Sequence, residues 1–157
     1  MDMQEIEAFL YREADYLDAA DLDGWISLYT DDASYWMPVD PNQPDPGTHI
    51  SLFYDDRLMM ELRRRNFGDA MAASMEYDVR CSHIIGNVRI LSGKPGMKSF
   101  RVGSNFQACI YYRGEQTLYA GRYTHDLVRT DDGLRIQHKR VDLINCDAAL
   151  RSIIIYL

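Results

Sequence analysis

The sequence predicts an α+β fold, with N-terminal helices packed on a curved, mainly antiparallel sheet. Three observations carry this. Apolar residues recur at helical spacing in the first third of the chain. From Asp78 onward the texture changes to two-residue alternation. The alternating runs are separated by tight-turn signals such as Asp131-Asp132-Gly133. Helices followed by runs of strands define the α+β class. At 157 residues the chain is one domain, residues 1–157.

The stretch from Phe9 to Val39 organises the rest. Residues 2–18 are expected to form a first helix, with Ile6, Leu10, Ala14 and Leu17 on one face. Asp21 is placed to cap a second helix over 22–29 that carries Trp25 and Leu28, closed by Asp31 and Asp32. Ser34 to Met37 reads as extended. Residues 41–47, with three prolines and a glycine, suit neither helix interior nor central strand and are expected to loop. A third helix is expected over 55–65, capped by Asp55 or Asp56, with Leu58, Met59 and Leu62 sharing a face, followed by a connection to residue 77.

Strands are expected over 78–91, 99–113, 117–129 and 134–146, with turns at 92–97, 113–115 and 131–133. In the last strand the parity changes. Leu134 and Ile136 face one way, whereas Val141 and Leu143 have the opposite phase, so a bulge is expected near Lys139. A bent sheet under N-terminal helices makes a cone. The tail 153–157, Ile-Ile-Ile-Tyr-Leu, is unusually apolar.

Composition narrows function. The formal net charge is −7, and phosphate binding needs Lys and Arg concentrated on one face, which argues against a nucleic-acid partner. No run approaches the ~18 apolar residues of a membrane span. The acidic start, MDMQEIEAF, does not resemble a secretory signal. Three widely spaced cysteines imply no disulfide framework, so a reduced, cytoplasmic setting is expected.

Chemistry-bearing residues are sparse. Cys81-Ser82-His83 supplies one half of a Rieske cluster motif, but neither Cys109 nor Cys146 begins the Cys-x-x-His half. No His/His/carboxylate spacing supports a mononuclear iron site. There is no Gly-x-Ser-x-Gly and no phosphate loop. His83, with Asp126 or Asp142, is one candidate acid–base pair on predicted strands, and it carries an alternative reading as a stand-alone dehydratase or isomerase. His125 and Asp126 are adjacent, so only one can line the interior. Arg63, Arg64 and Arg65, with Trp36 and Tyr156, are candidates for a partner surface.

Several stretches together resemble one family. These are 9–39, Asp55-Asp56-Arg57, Cys81 to Val88, Gly121-Arg122 with Asp126 to Arg129, and Lys139 to Ile144. In this order, and across essentially the whole chain, they look like the beta (small) subunit of aromatic-ring-hydroxylating dioxygenases. The resemblance implies a cone-shaped domain similar to nuclear transport factor 2 and scytalone dehydratase. It implies a beta trimer beneath a trimer of alpha subunits, a hetero-hexamer. It also implies that the Rieske [2Fe-2S] cluster and a mononuclear Fe(II) lie in the alpha subunit, with no metal, cofactor or catalytic residue in this chain. One departure is Tyr123-Thr124-His125, where the family tends to be basic.

Overall fold

The computed structural model describes residues 3–73, 78–94, 96–150 and 152–157. Helix α1 is Met3–Asp18 and helix α2 is Leu22–Ser27; strand β1 is Tyr29–Pro38, β2 is Ser51–Asp56, and helix α3 is Arg57–Ala73. Strands β3 to β6 are Arg80–Ser92, Ser99–Tyr112, Glu115–Thr130 and Gly133–Leu143. The six strands form one sheet in the order β2-β1-β6-β5-β4-β3. Every pairing is antiparallel except β1 with β6, which is parallel and joins the two ends of the fold.

Three expectations about the front of the chain are corrected. Helix α2 ends at Ser27, and Tyr29 already pairs with Ile136 of β6, so Asp31 and Asp32 lie in a strand. The helix stops because the Arg57 guanidinium holds the Ile26 and Tyr29 carbonyls (2.9 and 3.1 Å), satisfying acceptors at the helix end. Residues 51–56 form β2, an edge strand with weak alternation. Helix α3 therefore begins at Arg57, with the Asp56 carboxylate accepting from Met59 N at 2.9 Å. It continues to Ala73, through what reads in sequence as a connection; residues 74–77 of that connection lie outside those described.

The four predicted strands are present, except that the last ends at Leu143 and residues 144–146 form a turn; residue 95 of the expected 92–97 turn lies outside those described. Arg113 (φ +51°) and Gly114 (φ +79°) make a two-residue hairpin turn with both central residues left-handed. The bulge in β6 falls at Gln137: Leu127 pairs with Ile136 and Asp126 with His138, leaving Gln137 unopposed. Leu134 and Ile136 are buried before it, and Lys139, Val141 and Leu143 after it. The inserted residue thus turns Lys139 inward.

The core fills the space between the helices and the inner sheet face. Trp25 stacks on Tyr156 (ring centroids 4.4 Å apart), and Tyr35 meets Tyr156 edge-on at 4.7 Å. The apolar tail is folded back into the body, with Ile155, Tyr156 and Leu157 buried. Gly121 sits where β6 crosses closest, and a Cβ there would lie 2.1 Å from the Asp142 carbonyl oxygen.

Candidate functional site

The sheet interior converges on one carboxylate. Glu13 lies within the apolar face of α1, between Phe9, Leu10, Ala14 and Leu17, and is 2% exposed. Four donors surround it. Trp25 Nε1 and Tyr29 Oη each donate to Oε1 at 3.2 Å, and Lys139 Nζ donates to the same oxygen at 2.8 Å. His125 Nε2 lies 2.8 Å from Oε2. Because a carboxylate only accepts, His125 presents its Nε2–H to Glu13. Lys139 also sits 4.0 Å from the Tyr123 ring centroid, a cation–π contact.

Burial alone would raise the Glu13 pKa, but the charges of Lys139 and His125 and their hydrogen bonds outweigh it and hold the carboxyl well below the usual range. Burial pushes both His125 and Lys139 down, opposed in each case by Glu13. Glu13 is therefore ionised, with Lys139 Nζ as its ion partner and His125 Nε2–H as a further donor. Burial, reinforced by Glu13, pushes the Tyr29 phenol up.

A second polar tie lies further along α1. Asp18, the last residue of the helix, accepts from the His83 backbone N–H at 3.1 Å and faces His83 Nδ1 at 2.5 Å. It caps a backbone donor on the outer edge strand of the sheet. Burial lowers the His83 pKa, with Asp18 opposing.

The candidate pair His83 with Asp126 or Asp142 is not assembled. His83 is bound to Asp18. Asp126 is on the opposite face of the sheet, paired with Arg101 at 2.5 and 2.8 Å, and Asp142 is paired with Arg140. Alternation explains this: His125 takes the inward position next to Asp126, and the β6 bulge turns Val141 rather than Asp142 inward. Nor do Cys81 and His83 fit a metal cluster. His83 Nδ1 is already engaged by Asp18, and Cys81 is half-buried on the edge strand with its thiol pushed up by burial and by Asp18. No group of three or more His, Cys, Asp or Glu among the described residues is arranged to hold a metal ion.

The partner-surface candidates divide. Tyr156 is buried and donates to Asp55 Oδ2 at 2.7 Å, so it is not presented to a partner. Trp36 is almost covered as well; its Nε1 donates to Ser51 Oγ and Arg140 stacks on its ring at 4.4 Å. Arg63 grips the buried Asp55, and Arg64 bonds Asp23 and Glu61. Arg65 is exposed on α3. A cleft of about 310 Å³ opens between α3 and the tail, lined by Phe53, Phe67, Met71, Tyr112 and Ile153 among others. Glu13, His83, His125 and Lys139 do not line it.

Glu13, Asp18 and Lys139 are not apparent as a set from sequence. Two signals exist. Glu13 is a carboxylate inside an apolar helical stripe, a costly position without partners. Asp18 is an acid at a helix C-terminus, where the dipole disfavours it unless another group compensates.

Fold and interior together define a cone-shaped α+β domain whose centre holds a buried ionic cluster around Glu13. Residues 12–148 match the ring hydroxylating beta subunit family, and the chain belongs to it. It is similar to the small oxygenase component of the p-cumate 2,3-dioxygenase system of Pseudomonas putida, at 32% identity over 87% of this chain and 76% of the relative. It is similar also to the beta subunit of the benzoate 1,2-dioxygenase of Burkholderia mallei (31% identity, TM-score 0.79, 92% of each chain). A Novosphingobium aromaticivorans protein named as a scytalone dehydratase shares the fold alone, at 18% identity and TM-score 0.70 over 96% of this chain and 89% of that one. The chain is thus a small subunit of an aromatic-ring-hydroxylating dioxygenase, an oxidoreductase. No helix among the described residues is long and apolar enough to cross a membrane.

Proposed function

We propose that this chain is the structural, non-catalytic subunit of its dioxygenase. It forms a beta trimer that carries three alpha subunits, and works in the cytoplasm. The observation that carries the reading is the closed centre. Glu13 accepts from four donors, leaving it no capacity to take a proton from a substrate. His83, Asp126 and Asp142 each serve a separate internal pair. The alpha subunit would supply the Rieske cluster and mononuclear iron at which O₂ is activated. The holoenzyme would add both oxygen atoms to an aromatic ring, giving a cis-dihydrodiol, with two electrons from NADH and two protons balancing the reduction. The relatives above are named for p-cumate and benzoate, both aromatic carboxylates, which favours a carboxylated ring as substrate.

Native mass spectrometry of the tagged chain purified from its source cells tests this. The expected species holds a larger, iron-containing chain whose sequence has both Cys-x-His and Cys-x-x-His. An iron-free assembly of this chain alone, turning over a hydroxylated aromatic, would refute it.

A further inference from the structure

We propose that the inner face of the sheet binds ordered water, which joins His83 Nε2, Ser104 Oγ, Tyr123 Oη and His125 Nδ1 into one network between the two carboxylate–histidine pairs of α1. Among the described residues these four atoms are buried and meet no protein partner. Ser104, Tyr123 and His125 are at most 2% exposed, and the His83 side chain 1%. A buried polar atom without a hydrogen bond is costly, and native interiors meet that need with protein groups or with water. Four such atoms on one face of one sheet point to a shared occupant.

The strand register gathers them. It sets Ser104 of β4 opposite Tyr123 of β5, with His125 two residues further on and on the same face. The rings of His125 and Tyr123 meet edge-on, with centroids 5.6 Å apart. Tyr123 stacks flat on Phe106 at 3.9 Å, and Phe106 pairs with Ile85 of β3, two residues from His83. The Tyr123 ring thus reaches over β4 toward the strand that carries His83. Burial pushes its phenol up, and Glu13, Tyr35 and Asp18 add to the shift, which sets the hydroxyl in the field of both carboxylates. His83 gives Nδ1 to Asp18 and His125 gives Nε2 to Glu13, so the free nitrogen of each ring is the one these ties leave over.

Charge and chemistry select water. Glu13 and Asp18 repel an anion. Lys139 Nζ, 4.0 Å from the Tyr123 ring centroid, opposes a cation. A neutral occupant must serve two hydroxyls and two ring nitrogens. Water both donates and accepts, so it satisfies either hydroxyl, and a ring nitrogen in either tautomer. None of the four residues lines the cleft beside α3, so that cleft gives a larger molecule no way in. A buried water makes about three hydrogen bonds, so four atoms call for about one or two molecules. Since Glu13 and Asp18 both belong to α1, the network would fasten that helix to the sheet along its second half.

A crystal structure of the tagged chain in its native assembly, at a resolution that shows ordered water, reads the site directly. Water is expected within about 2.7–3.2 Å of all four atoms. Thermal unfolding of Tyr123→Phe and Ser104→Ala, each checked for folding by circular dichroism, gives a second reading whose sign decides. Removing a hydroxyl that water satisfies strands its partners, and should lower Tm by about 2–4 °C. Removing a hydroxyl that has no partner lifts a penalty and raises Tm. A dry site overturns the proposal, as do the four atoms repacked onto protein groups, density larger than water, or water at only one of the two histidines. An unchanged or raised Tm in either variant overturns it as well.

Discussion

Replacing Glu13 by Gln keeps the shape of the cluster and removes its charge. The amide oxygen can still accept from Trp25 and Tyr29, and the His125 ring can accept from the new amide as its other tautomer. Lys139 has no such escape: its side chain is fully buried and Glu13 is its ion partner. Breaking a buried pair by removing one partner costs about 3–5 kcal/mol. A domain has about 5–15 kcal/mol in all, so Glu13→Gln should consume a large share of it. Urea unfolding at pH 7 measures this. Lys139→Met should also destabilise, and the double variant should lose less than the sum of the two, by about 1–3 kcal/mol. The pH dependence supplies a second reading. The Glu13 pKa is lower folded than its ordinary 4.5, so its contribution is present above that value and lost as pH falls below it. Glu13→Gln should flatten the acid limb of the stability curve. A single-variant cost below about 1 kcal/mol, or strict additivity in the double, would refute the account of the cluster as a coupled buried pair.

Three further outcomes are expected. His83 and His125 both have pKa values lowered from 6.5, so the unfolded chain binds more protons and stability rises with pH through that region; His125→Asn should reduce the slope between pH 5 and 7 by up to about 1.4 kcal/mol per pH unit, read from urea midpoints. Gly121→Ala drives a methyl into the Asp142 carbonyl, 2.1 Å from the ideal Cβ, and should cost about 1–3 kcal/mol, seen as a lower Tm. Asp126→Asn and Asp142→Asn touch only partly exposed pairs with Arg101 and Arg140; each should change stability by less than about 1 kcal/mol and leave holoenzyme turnover at the wild-type rate, and a large loss of turnover would revive a catalytic role for them.

Much of the fold is legible in the sequence because its signals are local. The α1 face, the Asp21 cap, the Arg113-Gly114 turn and the alternation of β4 each rest on spacing within one element. The parts that are not legible rest on distant partners. Ser51 to Asp56 becomes a strand because β1 offers it an edge. Tyr29 leaves the helix because β6, more than a hundred residues later, pairs with it. Asp55, expected as a helix cap, is instead drawn inside by Tyr156 and Arg63. The candidate acid–base pair fails for the same reason, since the carboxylate that meets His83 comes from the end of α1 rather than from a neighbouring strand.

The β6 bulge links these levels. Its phase change is visible in the sequence as a clash of parity between Ile136 and Val141, but its consequence is not. With an uninterrupted strand, His138 would face the core and Lys139 the solvent. The extra residue at Gln137 reverses this, placing the ammonium of Lys139 against Glu13 while His138 turns outward to Ser34 at 2.8 Å. Glu13 belongs to α1, so the bulge is what lets the last strand hold the first helix onto the sheet. The same ionic contact closes the centre of the cone. A single inserted residue therefore secures the helical lid by setting the ammonium of the last strand against the buried carboxylate of the first helix.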